Sequence, residues 1–289
     1  MSTLLRVAYD GSEFHGFARQ RDGPKGPLRT VQGELERAAS SLYGESVQMR
    51  GASRTDAGVH AQGQLVAFEG PRAIPPRGVA RALNGRLPGD IAVVAAWEQA
   101  AADGGPIDVR HGNDGKHYRY DIGCTVGRDP MEAGRRWTLG RRLDVAAMQD
   151  AAVRFGGTHD FGSFRASHCQ AHTTTRTIDT VTLRWGARSM GPPRDEGRLD
   201  PLPIDGAVPG RGPDWIEVHV RGRAFLYNMV RIMVGTLVDV GLGRRAPDDI
   251  TSLLATPDRR NAGPTAPAAG LTLVEVRWPR PSAGTADSG

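Results

Sequence analysis

The chain has 289 residues, 39% of them hydrophobic and 24% charged, the balance of a globular protein long enough for one large domain or two ordinary ones. Lys and Arg number 37 against 32 Asp and Glu, a net charge of +5, which favours an anionic partner without specifying it. Its two cysteines, Cys124 and Cys169, have no CxxC neighbour, which argues against a disulfide framework or a thiolate metal site and points to a reducing, cytosolic compartment.

In chain order, "MSTLLRVAYDG" has no apolar core long enough for a signal peptide. Leu4 to Tyr9 reads as a strand ending at the turn Asp10-Gly11, and the basic, Gly/Pro-rich loop "HGFARQRDGPKGPLRT" follows. Thr30 can cap a helix with the stripe Val31, Leu35, Ala38 or Ala39, and Leu42, with Gly44 just past its end. Ser46 to Met49 and Gln64 to Phe68 read as strands on either side of "GASRTDAGVHA". A helix around Arg77 to Leu87 stops at Pro88, and Ile91 to Trp97 is a further strand. The order β-α-β-β-α-β is that of a ferredoxin-like half.

After a crossing at "QAAADGGPIDVRHGNDG" the plan repeats in element order, with no repeat in sequence. Lys116 to Gly123 alternates as a strand, and Asp144 caps a helix with Met148, Ala151 or Ala152, and Phe155 on one face. Thr177 to Trp185 and Trp215 to Arg221 form a strand pair. Between them a Pro-, Gly- and charge-rich segment near 188–213 reads as a long mobile insertion. Phe225 to Leu242 reads as a buried helix of a folded core. It is not a membrane span, because Arg231 and Asp239 would each cost about 2.5–3.5 kcal/mol at a bilayer centre. Pro247 opens a last helix, Leu271 to Trp278 is the final strand, and residues 281–289 read as a disordered tail. The expected fold is α+β: two ferredoxin-like (RRM-like) halves, residues 1–100 and 106–280, sharing a largely antiparallel sheet flanked by helices, with the active-site cleft between the halves.

Four stretches carry candidate chemistry. In "GASRTDAGVHA" Asp56 is either a turn-forming acid or a reactive carboxylate. Gly51 and Gly58 would let a ligand approach the backbone closely, and Arg54 offers a forked cation suited to phosphate. His60 is either an acid–base group or a hydrogen-bonded structural residue. Arg231 stands among Met229, Val230, Ile232, Met233 and Val234; it either occupies a solvent face or neutralises a carboxylate, and Asp56 is the most conspicuous one. "KHYRYDI" places Tyr118 and Tyr120 on one face of a strand, as core or as a surface that stacks a base. "HDFGSFRASHCQ" combines Phe161, Phe164, Arg165 and His168 in a short loop; aromatics among cations suit RNA, and core aromatics beside surface cations look the same.

Together these stretches resemble the TruA family of tRNA pseudouridine synthases. The similarity runs along nearly the whole chain through "AYDGSEFHGFARQ", "TVQGELERA", "SRTDAGVHA", "LNGRLPGDI", "KHYRYDI", "HDFGSFRA", "TTRTI", "RAFLYNMVRIMVG" and "AAGLTLVEV". The resemblance implies that Asp56 is the catalytic aspartate, Tyr118 the active-site tyrosine and Arg231 the arginine paired with the aspartate. It implies no metal or organic cofactor, a homodimer, and isomerisation of uridines in the anticodon arm of tRNA at positions 38, 39 and 40. Arg54, Thr55, His60, Phe164 and Arg165 are then expected to contact the RNA. Phe17 and Ala18 stand where the bacterial pattern has Trp and Gln, and Ser53 replaces a common Gly. Two rivals remain at this level. A non-catalytic RNA-binding protein with two RRM-like halves should carry an RNP1 string, which is absent, and leaves Asp56 and Arg231 without a role. A uridine-directed hydrolase would use the same aspartate but release uracil.

Overall fold

A computed structural model of the chain describes residues 1–20, 26–70, 74–126, 130–167, 169, 171–186 and 213–279. All but the last position of the expected insertion at 188–213 lies outside these residues, as do His168 and the tail 281–289. The protein is α+β, and its strands pair mostly antiparallel. It divides into two compact units, Met1–Tyr118 with Thr272–Gly289, and Arg119–Leu271. Among the described residues, no helix is long and apolar enough to cross a membrane.

The first unit contains β1 (Ser2–Tyr9), α1 (Val31–Tyr43), β2 (Met49–Gly51), β3 (His60–Phe68), α2 (Pro76–Asn84), β4 (Ile91–Gln99) and the start of β5 (Gly115–Gly123). The second contains the end of β5, then β6 (Trp137–Thr138), α3 (Val145–Val153), β7 (Gly157–Asp160), β8 (Thr175–Gly186), β9 (Trp215–Gly222), α4 (Met229–Gly241) and α5 (Asp249–Ala255). The last strand, β10 (Leu271–Arg277), was expected in the C-terminal half; from Thr272 it belongs to the first unit. There it runs parallel to β3, with Thr272 opposite His60. In the first unit the strand order is β4-β1-β3-β10, with β2 antiparallel on β3. In the second it is β5-β9-β8-β7, with β6 parallel to β5.

Local signals act where they are read. Thr30 Oγ1 accepts from the Gly33 amide at 3.2 Å, and Gly44 closes α1 in the left-handed conformation at φ 73°. Asp144 Oδ1 accepts from the Ala147 amide at 3.0 Å to open α3. The helix ends at Val153, so Phe155 lies beyond it and still reaches the core.

Where the chain departs from its local pattern, a distant side chain is the reason. The strand expected at Ser46 to Met49 begins only at Met49. The Val47 amide is taken by Ser40 Oγ at 3.0 Å and the Met49 amide by Glu36 Oε1 at 3.0 Å. Glu36 is therefore a buried anchor of α1. Its second oxygen accepts from Arg19 at 3.1 Å, which offsets the cost of removing the charge from water.

The long helix starts later than expected. Leu226 to Met229 form a turn closed by the Met229 amide on the Leu226 carbonyl at 3.1 Å, and α4 begins at Met229, because Asn228 sits at φ 60° and breaks the right-handed run. In mid-helix, Gly235 marks a close approach. A Cβ there would lie 1.8 Å from the carbonyl oxygen of Pro264, while the Gly263 amide donates to Thr236 Oγ1 at 2.9 Å. The segment from Ala262 to Pro267 thus lies against α4. Gly235→Ala gains up to about 1 kcal/mol of helix propensity. It also forces this segment off the helix, at a cost of at least the roughly 1–3 kcal/mol typical of overpacking. The melting temperature of Gly235→Ala is expected to fall by several degrees; a rise on calorimetry would show that the segment yields freely.

Candidate active site

The site is built on the loop between β2 and β3. The Ala52 amide still donates to the Leu65 carbonyl at 2.8 Å, in strand fashion. At Ser53 the partner changes. The Ser53 amide donates to Gln64 Oε1 at 3.1 Å, and Gln64 Nε2 donates to the Ser53 carbonyl at 2.7 Å. A fully buried side-chain amide thus replaces backbone pairing, and the chain lifts off the sheet with Arg54, Thr55 and Asp56.

The N-terminal loop holds this excursion in place. The Phe17 amide donates to the Thr55 carbonyl at 3.0 Å, and the Thr55 hydroxyl shares a 2.7 Å hydrogen bond with Tyr9. The Val59 amide closes a turn on the Asp56 carbonyl at 3.2 Å, with Gly58 at φ 78°. Gly51, expected to admit a ligand, instead makes room for Phe17: a Cβ there would lie 2.1 Å from the Phe17 ring. The buried Phe17 ring thus packs against the end of β2.

The described residues singled out in the sequence now have their places. In the first unit Arg54 is exposed, Asp56 half-buried and Thr55 buried. His60 is buried in β3, and its Nδ1 accepts from the Gly11 amide at 3.0 Å, beside the Asp10 carboxylate at 3.2 Å. That nitrogen braces the start of the N-terminal loop. Tyr118 is buried and shares a 2.7 Å hydrogen bond with Ser53 Oγ. Burial pushes its phenol up to about 12, the Ser53 hydrogen bond opposes the rise, and the charge of Asp56 adds to it. Asp56 and Tyr118 are therefore within electrostatic reach of each other, and at neutral pH the tyrosine keeps its proton and is not a phenolate base.

In the second unit, Tyr120 is core: its hydroxyl donates to the Pro267 carbonyl at 2.7 Å and its ring meets Trp137 edge-on. Phe164 is core as well. It is 0% exposed and packs edge-on against Phe155 at 5.1 Å, so the expected contact between its ring and RNA is replaced by packing. Arg165 is half-exposed. Arg231 lies in the first turn of α4, where its Nε donates to the Ala266 carbonyl at 2.7 Å and its Nη1 to Asn228 Oδ1 at 2.9 Å. Ser53, Gln64, Tyr9 and Asn228 were not read as site residues. Ser53 alone left a trace, as a departure from the family pattern.

The buried phenols carry a pH signature. Burial raises Tyr9 and Tyr118 above the ordinary tyrosine value in the folded protein. An unfolded tyrosine gives up its proton near pH 10. Between pH 10 and about 12 the unfolded chain therefore binds fewer protons than the native one, and stability falls as pH rises. The Tyr118 contribution is complete below pH 10 and lost above that window. Chemical denaturation of wild type and Tyr118→Phe side by side is expected to show wild type losing ground to the variant from pH 10 upward. A constant difference up to pH 12 would contradict the assignment.

A family model described as tRNA pseudouridine synthase matches residues 6–103 and 151–279 of the chain. The protein named tRNA pseudouridine synthase A of Pelobacter propionicus is 41% identical over 275 residues, covering 95% of this chain and 98% of that protein. The protein of the same name from Myxococcus xanthus is 39% identical over 272 residues, covering 94% and 90%. That of Geobacter sulfurreducens is 38% identical, covering 95% and 98%.

Proposed function

The chain belongs to the tRNA pseudouridine synthase family and isomerises uridine to pseudouridine in tRNA, and from that premise we propose that Asp56 is the carboxylate that acts on the nucleotide, with Tyr118 and Arg231 as its partners. The reaction breaks the N1–C1′ bond and forms C5–C1′, with no redox change and no net hydrolysis. It needs a carboxylate beside the sugar, a wall for the released uracil, and removal of the C5 proton. Asp56 supplies the carboxylate, as nucleophile at C1′ or as base on the sugar. Tyr118 forms the wall, and its protonated hydroxyl, bonded to Ser53, can relay a proton. Arg231 offsets the charge of Asp56 in the reacting complex.

The observation that carries this reading is the construction around Asp56. A buried amide, a buried phenol pair and the backbone of the N-terminal loop all hold one half-buried acid beside Tyr118. The target base must leave its stack to reach such a position. Arg54 and Arg165 are proposed to grip the flipped strand by its phosphates, and Thr55 and His60 to keep the loop in shape beneath it. The proposed substrate region is the anticodon arm at positions 38, 39 and 40, and the proposed assembly is a homodimer in the cytoplasm.

Chemical mapping of pseudouridine in tRNA from cells with and without the protein tests the reading. Loss of the modification at positions 38–40, with unchanged RNA mass on conversion in vitro, is the expected result. Release of free uracil would point to the hydrolase, and a modification elsewhere in the tRNA would remove the anticodon assignment. Light scattering that gives a fully active monomer would remove the dimer.

A further inference from the structure

Asn228 is unusual in two respects. Among the described residues it is the one non-glycine with positive φ, at φ 60° and ψ 7°. A non-glycine held there is strained, and it persists where the surroundings require it. Asn228 also stands at the N-cap position of α4, where an asparagine oxygen ordinarily accepts from the second or third helical amide. Here the side chain makes no such bond. Its Oδ1 accepts from Arg231 Nη1 at 2.9 Å instead.

The left-handed turn is what makes that bond possible. It carries the chain from Phe225–Tyr227 into α4 with the Asn228 carbonyl already accepting from the Ile232 amide at 3.0 Å, so the helix starts without the side-chain cap. On the other side of the guanidinium, the Ala266 carbonyl accepts from Nε at 2.7 Å, and the Ala266 amide donates to the Arg231 carbonyl at 3.1 Å. Two neutral acceptors on two different nitrogens fix a planar fork in its own plane, which a single acceptor could not do. Neither of these two acceptors carries a charge, so both act on the guanidinium through its orientation.

We propose that Asn228 is a positioning residue for uridine isomerisation: its strained backbone and forgone cap place its amide oxygen on Arg231 and aim the guanidinium. This rests on the proposed role of Arg231 in the chemical step. The variants Asn228→Gly and Asn228→Ala separate the side chain from the strain. Both remove the acceptor. Glycine adopts positive φ freely and alanine does not, so the melting temperature of Asn228→Gly should match or exceed that of Asn228→Ala.

Single-turnover rates at saturating tRNA are expected to fall about tenfold in both variants, the size of a typical coupling between contacting residues. tRNA affinity should be unchanged. In an Arg231→Ala background, Asn228→Gly should cost nothing further, because its target is gone. A wild-type rate for Asn228→Gly, or slowing confined to Asn228→Ala, would overturn the proposal by tracing the effect to backbone strain alone. An equal loss in the Arg231→Ala background would overturn it by showing another route. If Arg231→Ala itself turns over normally, the role of Arg231 fails first, and that single variant identifies the cause.

Discussion

Asp56→Asn is expected to lower single-turnover isomerisation by about three to four orders of magnitude, the range lost when a positioned acid–base group or nucleophile is removed. The substitution is nearly isosteric, so the fold should survive. The loop is held by backbone groups and neighbours: the Val59 amide on the Asp56 carbonyl, the Phe17 amide on the Thr55 carbonyl, and the Gln64 amide on Ser53. An amide keeps the shape but neither attacks C1′ nor takes a proton. Affinity for tRNA rests on many phosphate contacts, and removing an acid from an anion-binding surface does not weaken them. The variant should therefore bind tRNA at least as tightly as wild type while leaving pseudouridine absent on chemical mapping. Substantial turnover by purified Asp56→Asn would sink the assignment of the catalytic carboxylate.

Arg231→Ala is expected to slow the same step by about a hundredfold. In the proposed role Arg231 offsets the charge of Asp56, and removing one partner from a buried charge pair costs roughly 3–5 kcal/mol. Arg231 is half-exposed, so solvent screening brings the expected loss below that range, near two factors of ten. The side chain also gives up its bonds to Asn228 and Ala266, each worth about 1 kcal/mol, and some loss of thermal stability should accompany the change. Arg231→Lys keeps the charge but cannot reach both acceptors with a fixed fork, and its rate should fall between those of alanine and wild type. If Arg231 were instead a phosphate contact, Arg231→Ala would weaken tRNA binding and reduce the salt slope by about one, with a near-normal rate at saturating tRNA. Rates and affinities across salt therefore distinguish the two roles.

Much of the molecule is legible in its sequence because the signals involved act within a turn or two of chain. Thr30 and Asp144 mark helix starts by accepting from amides three residues on, and Gly44 marks an end by donating its amide to the Ser40 carbonyl four residues back. Alternation in β9 reports which face is buried, since strand side chains alternate sides. The Arg54-Thr55-Asp56 motif and the strings around Tyr118 and Arg231 carry the family resemblance whatever surrounds them, and the similarity to known synthases along the chain agrees with it.

What only the tertiary structure decided concerns groups whose partners come from far along the chain. Gln64 read as the first residue of a strand, yet its side chain pairs Ser53, at the start of the Arg54–Asp56 loop, to the sheet. Glu36 had no place in the apolar stripe read for its helix, yet its buried carboxylate takes the Met49 amide. Phe164 read equally as an RNA contact or as core, and the aromatic cluster with Phe155 and Phe161 made it core. Gly51 read as an opening for ligand and is an opening for Phe17. The pairing of β10 with β3 joins residues from opposite ends of the sequence, and no local pattern encodes it. The common physical reason is that a buried polar group or a missing Cβ is specified by whatever fills the space beside it. Periodicity and caps fix the elements; the satisfaction of donors, acceptors and volume between distant elements fixes the site.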